Sequence, residues 1–159
     1  MNEQQKPTVE LIDIPELVSI PGRFATGPVM GRFFEALIEK KILANVCPKC
    51  GRKQLPPREV CAVCRCRADK FVEVGPEGLL TRVEDTYYAS PDPLTGETRE
   101  TPYGSIHVLL DGCKGMETFW HLLKKEDLFD AQRGDRVRPV WNEHRVGSVD
   151  DILYFEKVR

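Results

Sequence analysis

The sequence predicts a mainly β protein: an N-terminal arm and one helix, a rubredoxin-like zinc ribbon, and a C-terminal five-stranded barrel of the OB-fold type. Three observations carry this. Two Cys-x-x-Cys pairs, Cys47/Cys50 and Cys61/Cys64, are separated by a short connector. Five runs rich in β-branched and aromatic residues follow Gly78, several with period-two alternation. Before the cysteines, a stretch after Pro28 has apolar residues at helical spacing with no proline to interrupt it. The boundaries expected from these signals are an arm over 1–27, the helix plus ribbon over 28–77, and the barrel over 78–159.

The arm is read from its punctuation. Pro7, Pro15, Pro21 and Pro28 break any helix, yet Val9, Leu11, Ile12, Ile14, Leu17, Val18 and Ile20 are too apolar for a solvated tail. A segment that docks on the chain's own body or on a partner reconciles the two. The helix is expected from Pro28, which suits a first turn, to Lys41. Phe33, Phe34, Leu37 and Ile38 share a face, with Arg32, Glu35, Glu39 and Lys40 mainly opposite, and Lys40 and Lys41 complement the macrodipole in the last turn. The stripe is most simply a packing face. Phe33 and Phe34 are also candidate anchors for a partner.

Each cysteine pair places its sulfurs on one tight turn. Four thiolates, Cys47, Cys50, Cys61 and Cys64, then close around one structural Zn2+ with no open position for catalysis. Disulfides fit an exported chain, but Met1 to Lys6 are polar and precede no apolar secretory run, so a reducing cytoplasm is the expected setting. A redox dithiol needs only one such pair. Iron uses nearly the same ligands and stays open as the alternative ion. Cys66 has poorer spacing for a knuckle and is read as a spare thiol.

Ile42 to Val46 leads into the first knuckle, Lys53 to Leu55 starts the return, and Phe71 to Val74 resumes it after the second. Gly75-Pro76-Glu77-Gly78 is a turn. The five strands beyond it are expected at Leu79–Tyr88, Tyr103–Leu110, Met116–Leu123, Arg136–Glu143 and Ile152–Val158, closing as a small barrel that hides their edges. The loop from Ala89 to Pro102 is longer than such a barrel needs, which marks it as a candidate for reaching a ligand or as a plain surface loop.

Charge and chemistry narrow the function. The whole chain carries −2. Between Cys47 and Lys70, however, Lys49, Arg52, Lys53, Arg58, Arg65, Arg67 and Lys70 face only Glu59 and Asp69. That patch stays positive after a four-thiolate zinc. It either offsets the thiolates or meets an anion such as the phosphates of a coenzyme. No nucleophile–base set stands out: His107, His121 and His144 are far apart and read as packing residues. Cys113 lies in a turn beside Lys114, which would lower its pKa somewhat. No phosphate-cradling glycine motif and no apolar run of membrane-spanning length is present. Single-stranded nucleic-acid binding is the competing class, since zinc ribbons and OB barrels both serve it; the acidic barrel speaks against it.

The combination resembles the zinc-ribbon/OB-fold acyl-CoA-associated proteins known as domain of unknown function thirty-five. The resemblance covers about Phe33 to Arg159. It rests on Phe33-Phe34-Glu35-Ala36-Leu37, Cys47-Pro48-Lys49-Cys50-Gly51, Leu55-Pro56-Pro57-Arg58 and Cys61-Ala62-Val63-Cys64. It continues through Gly134-Asp135-Arg136-Val137-Arg138-Pro139-Val140-Trp141 and Asp151-Ile152-Leu153-Tyr154-Phe155. Cys66 and the arm are departures. The resemblance implies a non-catalytic zinc subunit that stabilises a thiolase-fold catalytic chain in a hetero-oligomer and helps form its coenzyme A entrance. Lys49, Arg52, Lys53, Arg65 and Arg67 are then the phosphate candidates. The reaction implied is thiolytic cleavage of a β-keto acyl-CoA, and the long arm is similar to that of subunits acting on 2-benzoylsuccinyl-CoA in anaerobic toluene breakdown.

Overall fold

The computed structural model describes residues 25–92 and 95–159, so the expected arm lies outside the described residues except at its last three positions. Helix α1 (Gly27–Ile38) has Pro28 in its first turn and buries Val29, Phe33 and Leu37, one turn apart from each other. It stops at Ile38, not at Lys41. Lys40 adopts the left-handed conformation (φ 60°), while its N–H donates to Leu37 O and the Lys41 N–H reaches back to Ala36 O. This double closure is a Schellman motif and ends the helix. Lys40 and Lys41 therefore lie beyond the last turn. The exposed end carbonyl of Ile38 is instead bonded by Arg145 Nε at 2.7 Å, from the other end of the chain.

Strands β1 (Ile42–Val46), β2 (Lys53–Gln54) and β3 (Lys70–Val74) form an antiparallel sheet in the order β2-β1-β3, with Ile42 opposite Val74 and Val46 opposite Lys53. The second sheet holds β4 (Gly78–Thr86), β5 (Tyr103–Leu110), β6 (Phe119–Leu122), β7 (Arg136–Trp141) and β8 (Ile152–Lys157), ordered β6-β5-β4-β7-β8 and antiparallel throughout. All five expected strands are present, in the order that curls an OB-type sheet. The barrel is not closed, however. The edge strands meet at one parallel bridge, Leu123 to Phe155, with the Lys124 N–H donating to Phe155 O at 2.8 Å.

The reason lies at both ends of β6. Met116 to Thr118 were expected inside this strand, but Glu117 turns its carboxylate into the molecule toward the ribbon, and pairing begins only at Phe119. At the other end, the chain leaves the strand for the 3-10 turn Lys125–Asp127. β6 thus pairs over four residues only, and beyond it the edge strands share the single Leu123–Phe155 bridge.

One contiguous set of buried side chains joins both sheets and the helix. It runs from Phe33, Leu37, Ile42 and Leu55 through Val74 to Leu80, Ile106, Val108, Leu110, Phe119, Val137 and Phe155. Phe33 packs edge-on to Phe119 at 6.3 Å, and Phe119 does the same to Phe155 at 6.3 Å. Such aromatic pairs add about 0.5–1.5 kcal/mol each beyond burial. Phe33 is thus fully enclosed in its own chain and is not available as a partner anchor. Phe34 remains half-buried at the rim of the same cluster. At the junction of the sheets, Arg136 bonds both Asp111 oxygens at 2.7 Å and Glu77 at 2.8 Å, pinning the Gly75–Gly78 turn. Gly78 is required there, because a Cβ would sit 2.5 Å from Leu109 O.

Candidate metal centre and the groove beside it

The two cysteine pairs form two turns with the same backbone hydrogen-bond pattern. In the first, Gly51 N–H donates to Cys47 O and Cys47 N–H to Arg52 O; in the second, Arg65 N–H donates to Cys61 O and Cys61 N–H to Cys66 O. Both turns need a left-handed residue at the fifth position, supplied by Gly51 (φ 70°) and by Arg65 (φ 54°). Glycine enters that region freely and arginine does not. Arg65→Gly is therefore expected to stabilise the metal-loaded protein by up to about 1 kcal/mol in chemical denaturation, with no loss of metal.

These turns bring the four predicted sulfurs together: Cys47, Cys50, Cys61 and Cys64 Sγ all lie within 4.8 Å of one another. The Cys50–Cys61 separation is 3.8 Å. A tetrahedron with metal–sulfur bonds of about 2.3 Å has edges of about 3.8 Å, so the donor set fits zinc. Backbone N–H groups of Lys49 and Cys50 point at Cys47 Sγ, and that of Cys64 at Cys61 Sγ, each at 3.4 Å. These donors favour anionic sulfur. Before an ion enters, the Cys50 N–H leads in pulling the Cys47 thiol down to about 6. Cys64, which donates to the Cys50 sulfur, is pushed up to about 12. Metal uptake must therefore expel the Cys64 proton, and acid favours metal loss. Four thiolates leave such an ion no position for substrate, so the donor set suits a structural zinc.

The turns are held by a buried amide pair that the sequence did not advertise. Asn45 and Gln54 are fully enclosed. Asn45 Nδ2 donates to Arg58 O (2.6 Å) and Ala68 O (2.7 Å), while its Oδ1 accepts from Arg58 N–H and Gln54 Nε2, both at 3.2 Å. Gln54 Oε1 accepts from Ala62 N–H at 3.3 Å. One strand residue from each side of the first knuckle thus fixes the connector and the second knuckle.

Glu117 joins ribbon to barrel. Its buried carboxylate accepts from Arg52 Nη1 at 2.9 Å and from Leu55 N–H at 3.3 Å, with Arg58 Nη2 at 3.9 Å. Removing it strands the buried Leu55 N–H, while Arg52 and Arg58 remain solvated, so Glu117→Ala is expected to cost about 1–3 kcal/mol in urea unfolding of the metal-loaded protein.

Across this joint, the first knuckle and the β5–β6 hairpin enclose a groove of about 730 Å³, lined by Cys50, Gly51, Arg52, Lys53, Val63, Gly112, Lys114, Gly115 and Met116. Of the five phosphate candidates, Arg52 and Lys53 line it; Lys49, Arg65 and Arg67 do not, and Arg67 faces Asp69 at 3.8 Å in solvent. Lys114 also lines the groove, which the sequence did not indicate, because nothing local to it says that its hairpin lies beside the knuckle. Cys113, in the same hairpin, is buried, and burial pushes its thiol up, against the lowering expected from Lys114; the nearby charge that opposes this is Lys53. Among the histidines, His107 Nδ1 pairs with Thr118 Oγ1 at 3.3 Å and His121 Nε2 lies 3.3 Å from Val149 O. Burial holds the His121 imidazole below its usual range. The Ala89–Pro102 loop turns back on itself through Asp92 and Glu97 and rejoins the body where Lys125 meets Glu100. No helix among the described residues is long and apolar enough to cross a membrane.

Residues 34–71 match the sequence profile of the ChsH2 rubredoxin-like zinc ribbon domain. In solved structures, the fold is similar to a chain of an Ltp2–ChsH2(DUF35) aldolase, with TM-score 0.61 and 21% identity, covering 85% of this chain and 98% of that one. It is also similar to a protein of unknown function of the DUF35 family from Sulfolobus solfataricus, with TM-score 0.55 and 18% identity, covering 84% of this chain and 87% of that one. Among curated protein sequences, none matches.

Proposed function

From a chain that carries a ChsH2-type zinc ribbon on a DUF35-type fold, we propose an accessory zinc subunit of a hetero-oligomeric acyl-CoA enzyme. The catalytic residues belong to a larger thiolase-fold chain, and this subunit stabilises that chain and helps form the coenzyme A entrance. The observation that carries the proposal is the pairing of a closed four-thiolate centre with a basic groove directly beside it. The centre has no coordination site to offer chemistry, yet its first knuckle forms one wall of a groove that presents Arg52, Lys53 and Lys114. A rigid metal-pinned turn is well suited to hold cations against a diphosphate at an interface. The solved relative is named as part of an aldolase with a second chain, which supports a catalytic partner here as well.

The reaction we favour is thiolytic cleavage of a β-keto acyl-CoA, with 2-benzoylsuccinyl-CoA as one candidate substrate. Purification of the tagged full chain from its native host is expected to recover a larger thiolase-fold chain in fixed ratio. The reconstituted pair should cleave a β-keto acyl-CoA only when free coenzyme A is supplied. Cleavage without free coenzyme A would replace thiolysis by an aldol-type reaction. Recovery of a lone chain that binds single-stranded DNA, or turnover by the isolated subunit, would overturn the accessory role.

A further inference from the structure

Five thiols converge on the ribbon where four complete a tetrahedron. The fifth, Cys66, is outside the set of mutually close sulfurs but has its Sγ 3.5 Å from Cys47 Sγ. Its position follows from the near-symmetry of the two knuckles. The Cys66 carbonyl accepts the Cys61 N–H at 2.9 Å, as the Arg52 carbonyl accepts the Cys47 N–H at 2.9 Å. Cys66 and Arg52 are therefore equivalent positions with opposite uses. Arg52 sends its long side chain away from the centre to Glu117, whereas the short Cys66 side chain crosses to a ligand of the other knuckle. The ligands are unequally supported as a result. Cys61 Sγ receives one backbone N–H, from Cys64; Cys47 Sγ receives two, from Lys49 and Cys50, and faces the Cys66 thiol as well. Cys47 is also among the two most enclosed ligands, at 1% exposure, so solvent cannot supply what Cys66 supplies.

We propose that Cys66 is a positioning residue of the metal centre: its S–H donates a hydrogen bond to the metal-bound Cys47 sulfur and slows loss of the ion. This rests on the four-cysteine metal reading. A sulfhydryl is a weak donor, but an anionic acceptor strengthens the bond. Removing it leaves charge on the Cys47 sulfur that is compensated by the metal and the two backbone donors alone. The equivalent position in the first knuckle shows that closing the turn does not require cysteine, since Arg52 closes the same turn there.

The test uses the full chain loaded with Zn2+ or with Co2+, whose thiolate charge-transfer and d–d bands report on the ligands. Cys66→Ala is expected to keep one equivalent of metal and four-thiolate d–d bands. Its charge-transfer band should move to lower energy, and zinc transfer to a competing chelator should speed up about 5- to 10-fold. Cys66→Ser places a hydroxyl donor at the same site and should recover most of the wild-type rate and band position. Wild-type behaviour of Cys66→Ala in both readouts would make Cys66 a spare thiol and overturn the proposal. Equal acceleration in Ala and Ser variants, with no band shift, would reduce it to packing. Loss of one thiolate from the cobalt spectrum of Cys66→Ala would make it a ligand, which also overturns the proposal. Failure of the wild-type chain to bind either ion would instead bring down the metal reading itself.

Discussion

Replacing Cys61 by serine is expected to be the most damaging single change, with loss of stoichiometric metal and several kcal/mol of stability. Cys61 is a completely enclosed ligand, and its N–H and carbonyl close the second knuckle. A structural zinc contributes about 10 kcal/mol or more to folding a small module, and three thiolates plus a hydroxyl recover only part of that. The damage should not stay in the ribbon, because Ile42, Leu55 and Val74 belong to the same buried cluster as Leu80 and Leu110. Metal analysis and thermal unfolding check this directly. Chelation of the wild-type protein should reproduce the Cys61→Ser melting curve, and added zinc should restore the wild type but not the variant. A variant that keeps one equivalent of metal and an unchanged melting temperature would remove the structural role assigned to the centre. Cys113→Ser is the control. That thiol is buried in the β5–β6 hairpin, outside the ligand set, and its replacement should leave metal content intact.

Asn45→Ala should cost about 3–4 kcal/mol, more than a typical core truncation to alanine at a half-buried site. Four hydrogen bonds disappear with one side chain, and the groups left behind include Ala68 O and Arg58 N–H, with no water path to the fully enclosed side chain they face. A buried polar network is stabilising only when every member is satisfied. Asn45→Asp should be no better, because a carboxylate cannot donate to the Arg58 and Ala68 carbonyls. Urea unfolding at saturating zinc separates this loss from metal loss, and a cost below about 1 kcal/mol would show that the connector holds itself. The predicted losses at Asn45 and Glu117 are large for the same reason: each side chain bonds to segments that local folding does not bring together.

That property also decides what could be read in advance. The cysteine spacing located the four-sulfur cluster because a Cys-x-x-Cys turn is a local object, built within six residues by its own backbone hydrogen bonds. Tyr103–Leu110 was legible to the residue because Ile106, Val108 and Leu110 alternate inward, and the other four barrel strands were legible to within a few positions. The helix end was misread because a left-handed lysine stopped it, a conformation that composition gives no reason to expect at Lys40. Phe33 looked equally suited to core or interface, since both want an aromatic on an apolar stripe; only the arrival of Phe119 beside it assigns it to the core.

By itself, the sequence determined the four-sulfur centre, the succession of helix, ribbon and five strands, and the positive charge concentrated around the knuckles. These follow from short-range periodicity and spacing. The tertiary structure alone decided the rest. It drew Glu117, sixty-five residues from Arg52, into the ribbon and left the barrel unsealed. It placed Lys114 opposite Arg52 and Lys53 across the groove. It also turned a supernumerary cysteine toward a metal ligand nineteen residues away. The first two contacts depend on how two sheets share one core and the third on how the two knuckles face each other, and no local pattern encodes them.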